Sequence, residues 1–274
     1  MTHWKLTLSY NGSAFHGWQV QPDKATVQGT LRAALAQIVG ETVLPQGSGR
    51  TDAGVHALAQ VASFALEAPI PAEKLRDALN RALPPSIRVM GAEAVPESFH
   101  ARHSALRKSY EYRIFERYPQ GRSRGDVPAQ ICPPFLAPFV WDCPWPLDLE
   151  PMQQAAALLC GTHDFTSFAA ADPDLAGRSG ADTPGPNPVK TLFASAWLPK
   201  NSLLLYRVVG SGFLHHMVRN LVGTLVEVGR GALAADDLPR ILAARSRSAA
   251  GPTAPPQGLF LVEVGYEADC EVQR

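Results

Sequence analysis

The amino-acid sequence predicts a mixed α/β (α+β) protein whose two halves are built alike. Three observations carry that prediction. Strand-like and helix-like segments alternate over the first about 100 residues, the pattern of a sheet with one face covered by helices. The second half repeats the mixture of strands and two helices, without an alignable internal repeat. The chain has 274 residues, 46% of them hydrophobic and 18% charged, enough to bury one large core or two modest ones.

Each element has a local reason. Trp4 to Tyr10 alternates as a half-buried strand does, and Asn11-Gly12-Ser13 is a turn signal. Thr26 to Val39 places Val27, Leu31, Leu35 and Ile38 at helical spacing, with Thr26 as cap and Gly40 as terminator. Gln60 to Phe64 reads as a strand. Pro71 to Leu83 reads as a helix that opens on proline and stops before Pro84-Pro85. Strands are predicted at Ile87 to Val95 and at Ser109 to Phe115, the latter with Tyr110, Tyr112 and Ile114 on one face. Residues 116–151 are poorly patterned. Glu150 to Cys160 reads as a helix, and 169–188 is a Gly, Pro and Asp-rich loop. Strands at Thr191 to Leu198 and Ser202 to Val209 flank a Lys200-Asn201 turn. Gly212 to Gly229 carries a wide apolar stripe and reads as a helix, and Leu259 to Tyr266 closes as a strand.

Bulk properties narrow the function. Formal net charge is zero, so nucleic acid binding requires a local positive surface with acidic residues segregated elsewhere. Cys132, Cys143, Cys160 and Cys270 form no C-x-x-C pair and match neither zinc nor disulfide spacing, which leaves reduced, mostly buried thiols as the expectation. No apolar run reaches a bilayer span, and Met1 to Leu6 lacks the apolar core of a signal peptide, so no membrane role and a cytoplasmic location are expected. There is no Walker-type loop, no G-x-G-x-x-G after a strand and no G-x-S-x-G elbow, which argues against a nucleotide cofactor.

Three groups could carry chemistry. In Gly49-Arg50-Thr51-Asp52-Ala53-Gly54-Val55-His56, one carboxylate lies between glycines, two residues after an arginine, on a loop leading into a strand. Asp52 is a candidate catalytic carboxylate; the alternative is an Asp bonded to its own backbone in a surface turn. In Phe99 to Tyr110, cations and aromatics interleave, as suits phosphates and stacked bases. His100, Arg102 and Lys108 are candidate contacts there. The alternative is a solvated basic surface, with Tyr110 as a core strand residue. In the third group, Arg219 sits on an otherwise apolar helix and needs a carboxylate such as Asp52, another acid, or a route to water. His215 and His216, read as helical neighbours about 100° apart, make a poor metal pair, so no metal is expected.

Together these motifs resemble the TruA-type bacterial tRNA pseudouridine synthases. The likeness rests on Tyr10-Asn11-Gly12-Ser13 with Phe15, Gly17-Trp18-Gln19 and Gln21, and on the octapeptide around Asp52. It continues through Phe99-His100-Ala101-Arg102, Lys108-Ser109-Tyr110-Glu111-Tyr112, Gly212-Phe213-Leu214 and Met217-Val218-Arg219-Asn220. Asn11 stands where an Asp is common, Lys190 where an arginine is usual, and the 169–188 insertion is long.

The resemblance implies two α/β subdomains, each a mainly antiparallel sheet covered by helices, joined into one extended sheet with a central cleft. The division expected is an N-terminal catalytic subdomain at 1–105 and a C-terminal subdomain at 106–274. It implies an isomerase that converts uridine to pseudouridine at tRNA positions 38, 39 and 40, a homodimer engaging the anticodon stem-loop, and no cofactor. Asp52 is then the catalytic carboxylate, Tyr110 the ring beneath the uracil and Arg219 the charge partner. Arg50, His100, Arg102 and Lys108 are expected to bind substrate. A non-catalytic RNA-binding module and a pseudouridine synthase acting on other RNA are the rival readings.

Overall fold

The computed structural model describes residues 1–122, 124–171 and 187–266. The chain divides into two compact units, Met1–Ser109 with Phe260–Arg274, and Tyr110–Leu259. Both are mixed α/β with mostly antiparallel pairing, the class the sequence predicts.

The first unit orders its strands β4-β1-β3-β10. Strand β1 (Thr2–Tyr10) lies antiparallel to β3 (His56–Leu66) on one side and β4 (Ile87–Val95) on the other. The closing strand β10 (Leu259–Gly265) joins β3 in parallel through Phe260 and Leu261. A two-residue strand, β2 (Gln46–Gly47), pairs with β3 and delivers the chain into the Asp52 loop. Trp4, Leu6, Leu8 and Tyr10 are buried, as the alternation in β1 requires.

Two helices complete this unit. Helix α1 (Val27–Val39) begins where the Thr26 hydroxyl accepts the Gly29 N–H and ends at Gly40, whose φ of 72° suits a residue without a Cβ. Helix α2 (Ala72–Ala82) packs on α1 and β4, and its Asn80 side chain both donates to and accepts from Val89 at 2.8 Å. Leu31 and Leu35 of α1 and Leu75 and Leu79 of α2 are fully buried.

The second unit orders its strands β5-β9-β8-β7. Here β5 is Arg107–Glu116, of which residues 110–116 belong to this unit and 107–109 to the first; β7 is Gly161–Asp164, β8 Val189–Lys200 and β9 Leu203–Gly210. A short β6 (Trp141–Cys143), unforeseen in the poorly patterned region, runs parallel to the end of β5. Helix α3 (Leu149–Ala157) packs on β8 and on α4 (Met217–Gly229), and a short α5 (Leu238–Ala244) follows. Helix α4 is buried nearly all round, so it sits inside its unit rather than on the surface.

Two expectations change. Helix α4 begins at Met217, five residues after the predicted Gly212, because His216 adopts a left-handed conformation with φ 59°. Of the described cysteines only Cys143 is buried, whereas Cys160 is exposed, so mostly buried thiols were expected incorrectly. Cys270, and residues 172–186 of the predicted long loop, lie outside the described residues. No described helix is long and apolar enough to cross a membrane.

Candidate active site

The Asp52 loop is built between β2 and β3 of the first unit. Asp52 and Val55 close a tight turn, with the Val55 N–H donating to the Asp52 carbonyl at 3.1 Å. Gly54 has a φ of 79°, the left-handed value of the third residue in a type II turn. Asp52 is half-buried and Ala53 is exposed, so the carboxylate sits at the rim of a structured loop.

Residues 10–18 brace this loop along its length. The Tyr10 hydroxyl bonds the buried Thr51 hydroxyl at 2.8 Å, immediately before Asp52. Burial pushes the Tyr10 phenol up to about 12, so it remains a neutral hydrogen-bonding group at ordinary pH. Trp18 N–H donates to the Thr51 carbonyl at 3.0 Å, and Gly54 N–H donates to the Phe15 carbonyl at 3.3 Å. Gly12 N–H donates to His56 Nδ1 at 3.0 Å, and the His56 ring stacks on Phe260 at 4.7 Å.

Two glycines explain why the brace can lie so close. A Cβ on Gly12 would meet the Val55 carbonyl oxygen at 2.0 Å. One on Gly17, where φ is 91°, would meet the Thr51 carbonyl oxygen at 2.6 Å. The residues quoted above from two separate sequence motifs are therefore one packed object, with Asp52 presented from it.

From the other side the loop is held by Gln60 of β3, fully buried, whose amide Nε2 donates to the Gly49 carbonyl at 2.9 Å. Its Oε1 accepts the Ser48 hydroxyl at 2.6 Å. Lys108 of β5 donates to the Ser48 carbonyl at 2.6 Å. Gln60, Ser48, Thr51 and Tyr10 had no assigned role in the sequence reading. A glutamine inside an apolar strand was the one visible signal.

The basic segment after β4 is anchored at one residue and open at the next. The N–H of buried Ala101 donates to the Ser63 hydroxyl oxygen at 3.0 Å, and its carbonyl accepts the Tyr266 hydroxyl at 2.7 Å. Phe99 packs on Tyr266 at 4.9 Å, with the Lys5 ammonium 5.8 and 5.3 Å from the two rings. Arg102 and His103 are exposed on the turn. His100 Nδ1 accepts the Arg102 N–H at 3.1 Å, and desolvation, with the charge of His103, holds His100 below its usual range. A neutral ring is what that acceptor requires.

Tyr110 and Arg219 belong to the second unit. Tyr110 is buried and meets the edge of Phe213 at 5.0 Å. Its neighbour Glu111 is held by Arg113 at 2.9 Å and Arg207 at 3.1 Å. Arg219, half-buried in the first turn of α4, donates from Nε to the Ala254 carbonyl at 2.8 Å, and its backbone carbonyl accepts the Ala254 N–H at 3.0 Å. Desolvation pushes the Tyr112 phenol well up, offset partly by the positive charge of Arg219. His215 and His216 precede α4 rather than lying on it, and their rings pack at 3.9 Å, so the helical-neighbour geometry expected for them does not apply.

Comparison with known proteins identifies the family. A family model described as tRNA pseudouridine synthase matches residues 7–104 and 155–267, which include Asp52, His100, Arg102 and Arg219. The tRNA pseudouridine synthase A of Solibacter usitatus (strain Ellin6076) is 49% identical over 262 residues, covering 96% of this chain and 98% of that protein. The tRNA pseudouridine synthase A of Moorella thermoacetica is 44% identical over 268 residues, covering 96% and 98%. That of Rhodopseudomonas palustris (strain BisB5) is 43% identical over 267 residues, covering 97% and 100%. The family model covers most of the chain and the relatives match it over nearly its full length, so the chain belongs to the tRNA pseudouridine synthase family.

Proposed function

We propose that this chain is an isomerase that converts uridine to pseudouridine in tRNA, with Asp52 as its catalytic carboxylate. The observation that carries the role of Asp52 is the brace. A single half-buried carboxylate is presented from a loop whose flanking residues are fixed by Tyr10, Phe15, Trp18 and Gln60. Such preorganisation is what a reacting group needs and a solvated surface turn does not.

The chemistry follows from the net change. The C1′–N1 bond of uridine breaks and a C1′–C5 bond forms. The proton leaves C5 and N1 gains one, so atoms and electrons balance without a co-substrate. Asp52 can act by attack at C1′, with the bonding pair departing onto N1, followed by displacement of the carboxylate by C5 of the turned uracil. It can equally remove the 2′ proton as the C1′–N1 bond breaks with its pair leaving on N1, giving a glycal; C5 then bonds to C1′ as the proton returns to C2′. Either route needs an ionised carboxylate and a nucleotide taken out of its stack, at a cost of a few kcal/mol.

Other residues take roles set by their chemistry. Tyr110 is assigned to stack beneath the target uracil and to assist loss of the C5 proton. Arg219 supplies positive charge to the reacting centre. Arg50 helps extrude the base or holds a phosphate, while exposed Arg102 with His100 meets the RNA backbone. The family resemblance supports the anticodon stem-loop, positions 38, 39 and 40, a homodimer and a cytoplasmic setting. Incubating the protein with an unmodified tRNA transcript and mapping pseudouridine by chemical derivatisation tests this reading. Product at positions 38 to 40 is expected; product confined to other positions, or RNA binding without product, contradicts it.

A further inference from the structure

Lys108 was read from the sequence as a phosphate contact, but its surroundings give it another task. It lies on β5 within the first unit, half-buried, and its ammonium donates to the Ser48 carbonyl at 2.6 Å. The ammonium also lies close over Gly49, where a Cβ would come within 3.1 Å of Nζ. The next carbonyl along the chain, that of Gly49, is taken by the buried Gln60 amide at 2.9 Å. Two successive peptide planes are thereby fixed immediately before Arg50-Thr51-Asp52. Hydrogen bonds with an ionised donor are shorter and stronger than neutral ones, so Lys108 makes the firmer of these two contacts.

We propose that Lys108 is a positioning residue: it fixes the Ser48-Gly49 backbone, and through it the direction in which Asp52 is presented, rather than neutralising a phosphate of tRNA. This rests on the reading of Asp52 as the catalytic carboxylate. A Cβ on Gly49 would sit 3.1 Å from Nζ, so a side chain there would need the ammonium to give by a few tenths of an ångström. A misplacement of about 1 Å in a reacting group can cost on the order of 10²-fold in rate, which sets the scale of the effect.

The test uses the full chain, an unmodified tRNA transcript, wild type, Lys108→Met and Lys108→Arg. Single-turnover rate at saturating protein, Kd across a salt series and thermal midpoint are measured for each. The proposal expects both variants to lose about 10- to 100-fold in rate. It expects Kd within about two-fold of wild type and the same dependence of Kd on salt, because no phosphate contact has gone. Lys108→Arg keeps the charge but places a broad guanidinium where a compact ammonium fits, so it does not rescue the rate.

A normal single-turnover rate with weaker binding and a salt slope reduced by about one identifies a phosphate contact and overturns the proposal. A lowered thermal midpoint with a normal rate below it leaves only a structural role and also overturns it. If Lys108→Met does not fold, a folded Lys108→Arg at wild-type rate is sufficient to overturn it. The wild-type reaction separates the two claims. Absence of pseudouridine there removes the functional reading, whereas a productive wild type beside an unimpaired variant removes the positioning role alone.

Discussion

Thr51 and Asp52 are adjacent, yet one is buried against Tyr10 and the other reaches the rim of the loop. That division of labour at single residues recurs in the second unit. Glu116 ends β5 only 5% exposed, beside Gln120, which donates to its carboxylate. Burial raises its pKa above the ordinary carboxylate range, and the Gln120 hydrogen bond opposes this. The fold therefore prefers the neutral acid. Its contribution to stability is full below the unfolded pKa and is lost as pH rises through the raised folded value. Glu116→Gln should match wild type in thermal midpoint near pH 4 and exceed it increasingly toward pH 7. A midpoint difference that does not change with pH would contradict this. The residue scale was also the hardest to read from sequence. Asp52 was legible because one acid stood between glycines beside an arginine. Gln60 and Ser48 were not, since their role exists only once β2 and β3 pair.

At the scale of elements, local signals were read well and non-local ones poorly. Thr26 and Gly40 marked both ends of α1 because capping depends on the few residues nearest the helix terminus. The start of α4 was misplaced because Phe213 and Met217 keep helical spacing across a left-handed His216 that interrupts the helix. Strand β6 escaped notice because the strand it pairs with, β5, lies well before it in sequence, so nothing local marks it. The brace on the Asp52 loop yields a prediction at this scale. Gly17 and Gly40 both have left-handed φ, but only at Gly17 would a Cβ strike the loop backbone. Gly40→Ala should cost roughly 1–2 kcal/mol and leave turnover unchanged, since strain there is local. Gly17→Ala carries a cost on the order of 1–3 kcal/mol from strain alone and must also displace Thr51-Asp52, so turnover should fall at least about ten-fold. Steady-state rates well below both midpoints check this; equal rates for the two variants would mean the brace does not govern Asp52.

At the scale of the molecule, zero net charge conflicts with an RNA substrate only if charge is spread evenly. The described residues show one way around that: Glu111, Glu227 and Asp142 are occupied by arginines of the same unit, while Arg102 stays exposed on an anchored turn. The mixed α/β class was legible because alternation of strands and helices survives in the sequence. That the closing strand β10 returns to β3 was not, because a parallel pairing over so long a separation leaves no local trace. The central claim remains a single carboxylate on a braced loop. It is tested most directly by tritium release from tRNA carrying 5-tritiated uridine, comparing wild type with Asp52→Asn at matched tRNA occupancy. The account predicts release by wild type and none above background by Asp52→Asn, with Kd for tRNA within about three-fold because the substitution spares the phosphate contacts. Release by Asp52→Asn at a rate near wild type would remove Asp52 from the reaction.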